Sequence, residues 1–343
     1  MRKKNTIFLL LFFFFFLGFF GKNILAQQDE IRFFIGPAIS EPQLEKGEVY
    51  ESKIIIRNKN NFPVPIKSRI VNFNARDEFG AILFEKAEGA DWFFVKEPDF
   101  ILQANEEKWI DFEIKVPENA KRGGYYVSWV FEPKIPSQYL KGTSTPAIPQ
   151  LASLFLISVG KRGGANFEII EMKVPEEKRI LFLEKILKNF KKEKNFFVVK
   201  DANVPFSIRV KNNDVYHVKP SGTLKFIGPL NSVIGEAEIK ETTILPGKIR
   251  QISVNFKPKI YVRLDKYAPE PVAEFFSGNF FLGNYKALLA LHGSAEVFSE
   301  SSILVIPFFG ILITLLLLLI LIFLIILKRK QKKKKRSLKS KKS

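Results

Sequence analysis

The side chains best suited to chemistry are few and lie far apart in this chain. The two histidines, His217 and His292, are 75 residues apart, and there is no cysteine. A zinc site needs closely spaced His, Cys or carboxylate ligands, as in His-Glu-x-x-His, and a thiol nucleophile needs a cysteine. The sequence therefore excludes thiol chemistry and gives no support for a zinc site.

Other catalytic patterns are also missing from the sequence. It contains no Gly-x-Ser-x-Gly motif, no phosphate-binding loop and no dinucleotide-binding glycine pattern. Residues 77–80 lack the alternating oxygen ligands of a calcium loop and are typical of a turn. Two acids brought together only in space, as in glycoside hydrolases, stay open as an enzymatic chemistry. We therefore expect a protein that is not an enzyme and has no cofactor or metal, with an extracellular hydrolase as the least favoured alternative.

Aromatic and histidine side chains are the remaining candidates for a binding surface. His217 precedes a Pro-Ser-Gly turn at 220–222, which favours a structural role at the end of a strand. Tyr125, Tyr126 and Trp129 could form an aromatic binding patch, but aromatic residues that alternate along a strand are more often part of a core. The sequence assigns no residue to a ligand.

The charge of the chain is concentrated at its two ends. The net charge is +19, of which residues 328–343 contribute +11 and the basic residues before position 23 contribute +4. The rest of the chain holds all 35 carboxylates and is nearly balanced. Because the excess is terminal, it predicts membrane topology rather than nucleic-acid binding.

The two ends predict export and a membrane anchor. Residues 7–20 form an apolar run of signal-peptide length behind a basic start, and Ala26 is the expected cleavage position, so 1–26 is predicted to be a signal peptide. Residues 303–327 carry no charge, and as a helix they would span a ~30 Å hydrocarbon core. The basic residues 328–343 would then be a cytoplasmic tail, which makes the chain a single-pass membrane protein with an extracytoplasmic body.

The body of the chain has the pattern of antiparallel strands. Residues 110–116 alternate strictly between apolar and polar side chains, which indicates a strand with one buried face. Residues 49–57, 64–73, 92–95 and 125–131 are further strand candidates separated by turn residues. Short strands, frequent turns and the absence of cysteine predict β-sandwiches held together by apolar cores.

The second half of the body repeats the plan of the first. Residues 54–57 and 206–211 each run into an asparagine-rich turn, and 102–106 and 245–248 each precede a strand. We therefore predict an all-β protein of two tandem immunoglobulin-like sandwiches, at 29–160 and 163–298.

One segment departs from the strand pattern. Residues 176–194 place Ile180, Leu183, Leu187 and Phe190 at helical spacing among lysines and glutamates. The segment is predicted to be a helix inserted early in the second sandwich. It could pack on the sandwich, or it could lie on a membrane or a partner as a basic amphipathic helix.

The order of these parts resembles the WxL-interacting protein family of bacterial cell surfaces. The similar motifs of the first half lie at 48–61, 75–84 and 112–124. In the second half, 217–222, 245–247 and 283–285 resemble a motif series in surface proteins of small-genome bacteria. The resemblance implies two immunoglobulin-like domains, of which the first binds peptidoglycan and the second a protein ligand or a host component. The matching positions are turns and core residues, so no binding contacts carry over.

The resulting functional prediction is a membrane-anchored scaffold that binds peptidoglycan or surface proteins through its two sandwiches. The alternative is a chaperone-like protein of pilus or surface assembly, in which an open sheet edge accepts a strand from the partner. An exposed edge strand without lysine or proline would favour this alternative. The oligomeric state is open.

Overall fold

A computed structural model of the chain describes residues 31–139, 150–189, 195–200, 204–228, 231, 233–256, 259–262, 273–277, 283–293, 295–306 and 315–329. The predicted signal peptide, 1–26, and residues 330–343 of the predicted tail lie outside this described part. The described chain is built almost entirely from strands that form two successive groups of sheets.

Among the described residues, the first group contains eleven strands in two sheets. The strands are β1 (Phe33–Gly36), β2 (Ile39–Ser40), β3 (Gln43–Leu44), β4 (Val49–Asn58), β5 (Val64–Ala75), β6 (Ile82–Glu85), β7 (Phe93–Val95), β8 (Phe100–Leu102), β9 (Glu107–Lys115), β10 (Gly123–Pro133) and β11 (Leu151–Val159). One sheet has the order β1-β4-β9-β7. The other has the order β2-β11-β10-β5-β6, with β3 also on β11 and β8 also on β5.

Alternating apolar side chains from both sheets form the first core. Ile54, Phe112 and Trp129 are among its buried members. Phe112 meets Trp129 edge to face with ring centroids 5.7 Å apart, in the geometry that aromatic pairs prefer. The strict alternation in β9 thus places one face of the strand in this core, as the sequence predicts.

Within the described residues, the second group contains ten strands. They are β12 (Phe167–Lys173), β13 (Phe196–Val199), β14 (Val204–Asn212), β15 (Ser221–Ile227), β16 (Val233–Ile239), β17 (Ile249–Phe256), β18 (Lys259–Val262), β19 (Ala273–Ser277), β20 (Gly283–His292) and β21 (Val297–Val305). The two larger sheets have the orders β12-β14-β17 and β13-β21-β20-β15-β16, and β18 pairs with β19. A second core that includes Phe206, Leu224 and Leu289 joins the two larger sheets. The all-β, sandwich part of the predicted fold class is therefore confirmed.

Two buried asparagines show the same arrangement in both sandwiches. Asn58 ends β4, and its side-chain amide donates to the carbonyls of Phe62 and Gln103 at 2.8 and 2.9 Å. Asn212 ends β14, and its amide donates to the carbonyls of Tyr216 and Ile244 at 2.7 and 2.8 Å. Each amide ties the loop after its own strand to a second loop, because a buried carbonyl left without a donor is costly.

The chain also contains two α-helices within the described residues and three short 3-10 turns. Helix α1 (Leu181–Lys188) precedes β13, and helix α2 spans residues 315–329. The 3-10 turns are Ala90–Trp92, Ser137–Tyr139 and Glu176–Lys178. The predicted helix at 176–194 is thus shorter than expected, with Ile180 as its N-cap and with Phe190 outside the described residues.

The structure contradicts the predicted membrane-spanning helix at 303–327. Ile303 and Val305 are buried in the second core at the end of β21, which pairs with β13 and β20. These residues are apolar because they alternate into a core, so the uncharged run at 303–327 begins with the end of strand β21. Among the residues that the structure describes, none of the helices combines the length and the apolar character needed to cross a membrane. This finding overturns the predicted single-pass anchor and the localisation that rested on it.

Candidate binding site between the two sandwiches

The sheet that contains β5, β10 and β11 has apolar side chains on both of its faces. Trp129 belongs to the first core, whereas Phe73 and Leu156 form a separate cluster with Leu245 of the second sandwich. Tyr126 packs against the edge of this cluster. A sheet face left in water usually alternates with polar side chains, so this outer face is suited to contact with another surface.

A cleft of about 310 Å³ lies next to this apolar cluster, between the two sandwiches. Ile39 and Ile82 line it from the first sandwich, and Thr243, Lys248 and Arg250 line it from the second. Its apolar floor can take up an aliphatic or aromatic side chain, while the polar rim can orient a peptide or another polar group.

Strand β6 forms the outer end of the same sheet, and all four of its residues are exposed. Ile82, Leu83 and Phe84 are 39, 49 and 38% exposed. In the described part of the chain β6 pairs with β5 alone. It contains neither lysine nor proline, the residues that commonly protect a sheet edge against strand addition.

The register of β5 and β6 shows which backbone groups face the open edge. The Arg76 N–H donates to the Ala81 carbonyl at 2.8 Å, so these two residues form a hydrogen-bonded pair. Because such pairs alternate with non-hydrogen-bonded pairs in an antiparallel ladder, the N–H and C=O groups of Ile82 and Phe84 point away from β5. These two residues therefore offer a hydrogen-bonding edge, and Ile82 also lines the cleft.

The turn between β5 and β6 is fixed to the second sandwich by a contact that we call the Glu78 latch. Arg209 donates two hydrogen bonds to the Glu78 carboxylate, at 2.8 and 2.5 Å. The Gln251 N–H donates to the Glu78 carbonyl at 2.8 Å. The hydrogen bonds and charge of Arg209 lower the pKa of Glu78 below its ordinary value. The latch thus holds β6 beside the cleft.

Gly80 allows this turn to approach the second sandwich closely. Its φ angle is +95°, in the region that favours glycine. The guanidinium of Arg250 occupies the space that a Cβ atom at this position would need. A larger residue at position 80 would therefore displace Arg250 from the rim of the cleft.

A polar cluster, the His217 junction, connects the two sandwiches on the side of the linker. The His217 ring is buried and its Nε2 lies 3.4 Å from Glu41, which also pairs with Lys219. Arg162 in the linker donates to the His217 carbonyl. The Tyr216 hydroxyl donates to the Val159 carbonyl at 2.9 Å. These contacts tie the linker, β11 and the second sandwich together.

The electrostatics of the junction follow from burial and from its cations. Burial, followed by the charge of Arg162, lowers the pKa of His217 to about 4. Burial raises the pKa of Glu41, but hydrogen bonding and charge from Lys219 and His217 outweigh it, so that pKa is lowered overall. At neutral pH the junction therefore pairs a neutral imidazole with an ionised carboxylate. The Nδ1 atom of His217 is buried and has no hydrogen-bond partner among the described residues, so the ring is not open to a substrate.

The structure separates the residues that the sequence analysis considered for binding. Trp129 lies in the first core, and Tyr125 packs on the Trp92 ring with centroids 4.3 Å apart. Tyr126 points to the outer face instead, where its ring meets His217 edge to face at 5.9 Å. His292 is half exposed and lies 3.3 Å from Glu296.

Two functional features were missed at the sequence level. Glu78 reads as part of a turn, because its partner Arg209 is 131 residues away and no local signal connects them. The open edge of β6 depends on which strands pair, which a single strand does not specify. Among the described residues, no group of three His, Asp or Glu side chains is arranged to hold a metal ion.

Comparison with known proteins yields only distant structural likenesses. No protein-family model matches the chain, and no curated protein matches it. The class 5 fimbrial chaperone CfaA is similar at a TM-score of 0.38 and 12% identity, over 79% of this chain and 99% of CfaA. The CsuC–CsuE chaperone–tip subunit complex of Acinetobacter baumannii Csu pili gives 0.35 and 12%, over 80 and 100%. The PapD-like domain 7 of human CEP192 gives 0.28 and 16%, over 39 and 88%. At these scores the likenesses identify neither a family nor a function.

Proposed function

We propose that this protein binds an extended segment of a partner polypeptide, which adds as a strand to the open edge of β6. The observation that supports the proposal is the edge itself, with three exposed apolar residues and no lysine or proline. The backbone of Ile82 and Phe84 supplies hydrogen bonds of the kind that bind a strand without regard to its side chains.

The cleft gives this edge a means of selecting its partner. Ile82 belongs to both the edge and the cleft, so a strand on β6 would have side chains within reach of the apolar floor around Phe73. Side chains on one face of an added strand recur at every second residue. The preferred partner segment therefore has alternating apolar residues, as in any strand with one buried face.

Photocrosslinking from the edge of the full-length chain tests this proposal. Benzoylphenylalanine replaces Phe79, which is 72% exposed in the turn before β6, in cells that naturally produce the protein. Crosslinked peptides are then identified by mass spectrometry. We expect crosslinks to one protein segment with alternating apolar residues, and binding of a synthetic copy of that segment to the purified chain.

Two variants at position 84 distinguish the contribution of the edge backbone to binding from the contribution of its side chains. Phe84→Pro removes an edge N–H but spares the ladder to β5, and should weaken peptide binding about tenfold because a hydrogen bond and the fit of the strand are both lost. Phe84→Val keeps the N–H and should retain most of the binding. Crosslinks to peptidoglycan fragments alone, or equal binding by both variants, would contradict strand addition at β6.

A further inference from the structure

Helix α1 exposes a second apolar surface, on the side of the second sandwich. The helix lies against β13 and keeps Leu183 and Leu187 half buried. Leu181, Phe182 and Ile186 are exposed, and Phe182 reaches 73%. Single exposed apolar residues are common on protein surfaces, but three neighbours on one short helix form a patch that indicates an interaction site.

Helix α1 differs from an ordinary surface helix, because its acidic side chain is buried and three of its apolar side chains are exposed. Its one acid, Glu184, is buried and accepts two hydrogen bonds from Arg179, at 2.9 and 2.6 Å. Lys188 also pairs with Glu184 at 2.9 Å. Because the acid is buried and neutralised, the exposed side presents Lys185 among apolar side chains and carries no negative charge.

The segment that contains α1 carries a moderate excess of positive charge. Residues 176–194 contain seven lysines or arginines and four glutamates, one of which is the buried Glu184. Exposed leucine, isoleucine and phenylalanine beside several lysines are typical of helices that lie in the interface of a bilayer with anionic lipids.

Backbone hydrogen bonds fix the start of α1 on the second sandwich. The Ile180 N–H at its start donates to the Val198 carbonyl at 2.7 Å, and the Ile306 N–H donates to the neighbouring Val199 carbonyl at 2.9 Å. The helix therefore begins beside the end of β21, which keeps its exposed side chains in a defined position on this sandwich.

We propose that α1 docks on an anionic lipid surface. Leu181, Phe182 and Ile186 enter the boundary between headgroups and acyl chains, and Lys185 lies at the level of the lipid phosphates. The docked helix would set the orientation of the second sandwich relative to that surface. This site is separate from the strand-binding edge of β6, so either proposal can fail without the other.

The absence of cysteine allows a direct test in the full-length chain. A single cysteine replaces Phe182, or Phe79 as a control of equal exposure (73 and 72%) in the first sandwich, and is labelled with the polarity-sensitive dye NBD. The labelled chain is mixed with phosphatidylcholine vesicles with or without phosphatidylglycerol. Two quantities are measured: the NBD emission maximum, and quenching by lipids that carry a doxyl group.

Docking predicts a blue-shifted emission and strong doxyl quenching at position 182, and neither at position 79. The effect should be larger with phosphatidylglycerol and should decrease at high salt. Lys185→Glu should shift the docking equilibrium about fivefold or more toward the detached helix, because each lysine near an anionic surface adds to the attraction. Thermal unfolding of each labelled variant confirms that the sandwiches are intact.

Three results would overturn the proposal. One is a label at position 182 that stays as exposed to water as the label at position 79. Another is a blue shift without doxyl quenching, which means that a protein surface or another part of this chain covers α1. The third is equal quenching in neutral and anionic vesicles, which would show that the positive charge of the lysines does not contribute to docking.

Discussion

Buried polar side chains fix the loops of both sandwiches and the junction between them. Asn58 and Asn212 each satisfy two carbonyls in loops that are distant in sequence. His217 differs from them: within the part of the chain that the structure describes, one ring nitrogen lies near Glu41 and the other has no hydrogen-bond partner. Its burial is therefore tolerated only in the neutral form, which makes this residue sensitive to pH.

The pH dependence of stability should report on His217. Its pKa in the folded protein is lowered to about 4 by burial and by the charge of Arg162, whereas histidine in an unfolded chain titrates near about 6.5. The unfolded state thus binds the proton more tightly, and protonation favours unfolding. The unfolding free energy that depends on neutral His217 is therefore fully present above about pH 6.5, and it decreases as the pH falls toward about 4.

Urea unfolding of the full chain at several values between about pH 7 and 4.5 measures this effect. His217→Asn should flatten the decline in unfolding free energy over that range. The matched control is His292→Asn, since His292 is half exposed, and it should leave the decline unchanged. An unaltered slope in His217→Asn would show that other groups cause the pH dependence.

At the scale of single elements, β6 and α1 both face outward with apolar side chains and illustrate two kinds of surface. Strand β6 exposes Ile82, Leu83 and Phe84, and helix α1 exposes Leu181, Phe182 and Ile186. The strand offers unpaired backbone groups, which suits a partner strand. The helix satisfies its own backbone and offers side chains with positive charge, which suits a lipid surface. The two elements therefore fit different partners for a physical reason.

The orientation of α1 should depend on the Arg179–Glu184 pair. Arg179→Met leaves the buried Glu184 with Lys188 as its remaining partner, and the partly compensated buried charge costs less than the roughly 3–5 kcal/mol of a fully uncompensated one. Amide hydrogen exchange of residues 181–188 should accelerate at least about tenfold. The double variant Arg179→Met/Glu184→Leu removes both charges and should exchange about as slowly as the parent. Unchanged exchange in Arg179→Met would mean that β13 alone holds the helix.

At the scale of the whole molecule, two sets of contacts define how the sandwiches meet. The Glu78 latch lies on one side of the cleft and the His217 junction lies at the linker. The apolar cluster around Phe73 and Leu245 lies in the same interface. Because this cluster is small, we expect the polar contacts to decide the angle between the sandwiches.

Loss of the Glu78 latch should widen the range of angles between the two sandwiches and should reduce the unfolding free energy only slightly. An ion pair that is about one third exposed contributes at most about 1 kcal/mol to folding. Cysteines introduced at exposed Glu51 and Lys225 carry spin labels, and electron–electron distance measurements report the separation of the sandwiches. Glu78→Gln should broaden the distance distribution, and 1 M salt should act in the same direction by screening.

The control for this measurement is Lys115→Ala, which removes the Lys115–Glu113 pair within the first sandwich. It should leave the distance distribution as narrow as in the parent chain. A narrow distribution in Glu78→Gln would show that the apolar cluster and the junction are sufficient to fix the angle.

Much of the secondary structure follows from local sequence. The alternation at 110–116 corresponds to β9, and the apolar run at 125–131 lies within β10. The asparagine-rich turns occur where the sequence places them, because a buried Asn amide needs acceptors that only a loop supplies. The same local reasoning fails at 303–327, where an uncharged run is compatible with a strand end as well as with a helix. The resemblance to WxL-interacting proteins and the absence of enzymatic activity stay predictions.

The sequence by itself determined the all-β character of the chain and the turns between its strands, because periodicity and turn residues act over short distances. Only the tertiary structure decided that β6 is an open edge, that Glu78 meets Arg209 across 131 residues, and that α1 turns its acid inward and its phenylalanine outward. Each of these depends on the free energy of contacts between segments that are far apart in the chain. The candidate binding site consists of such contacts, and for this reason it became visible only in the folded molecule.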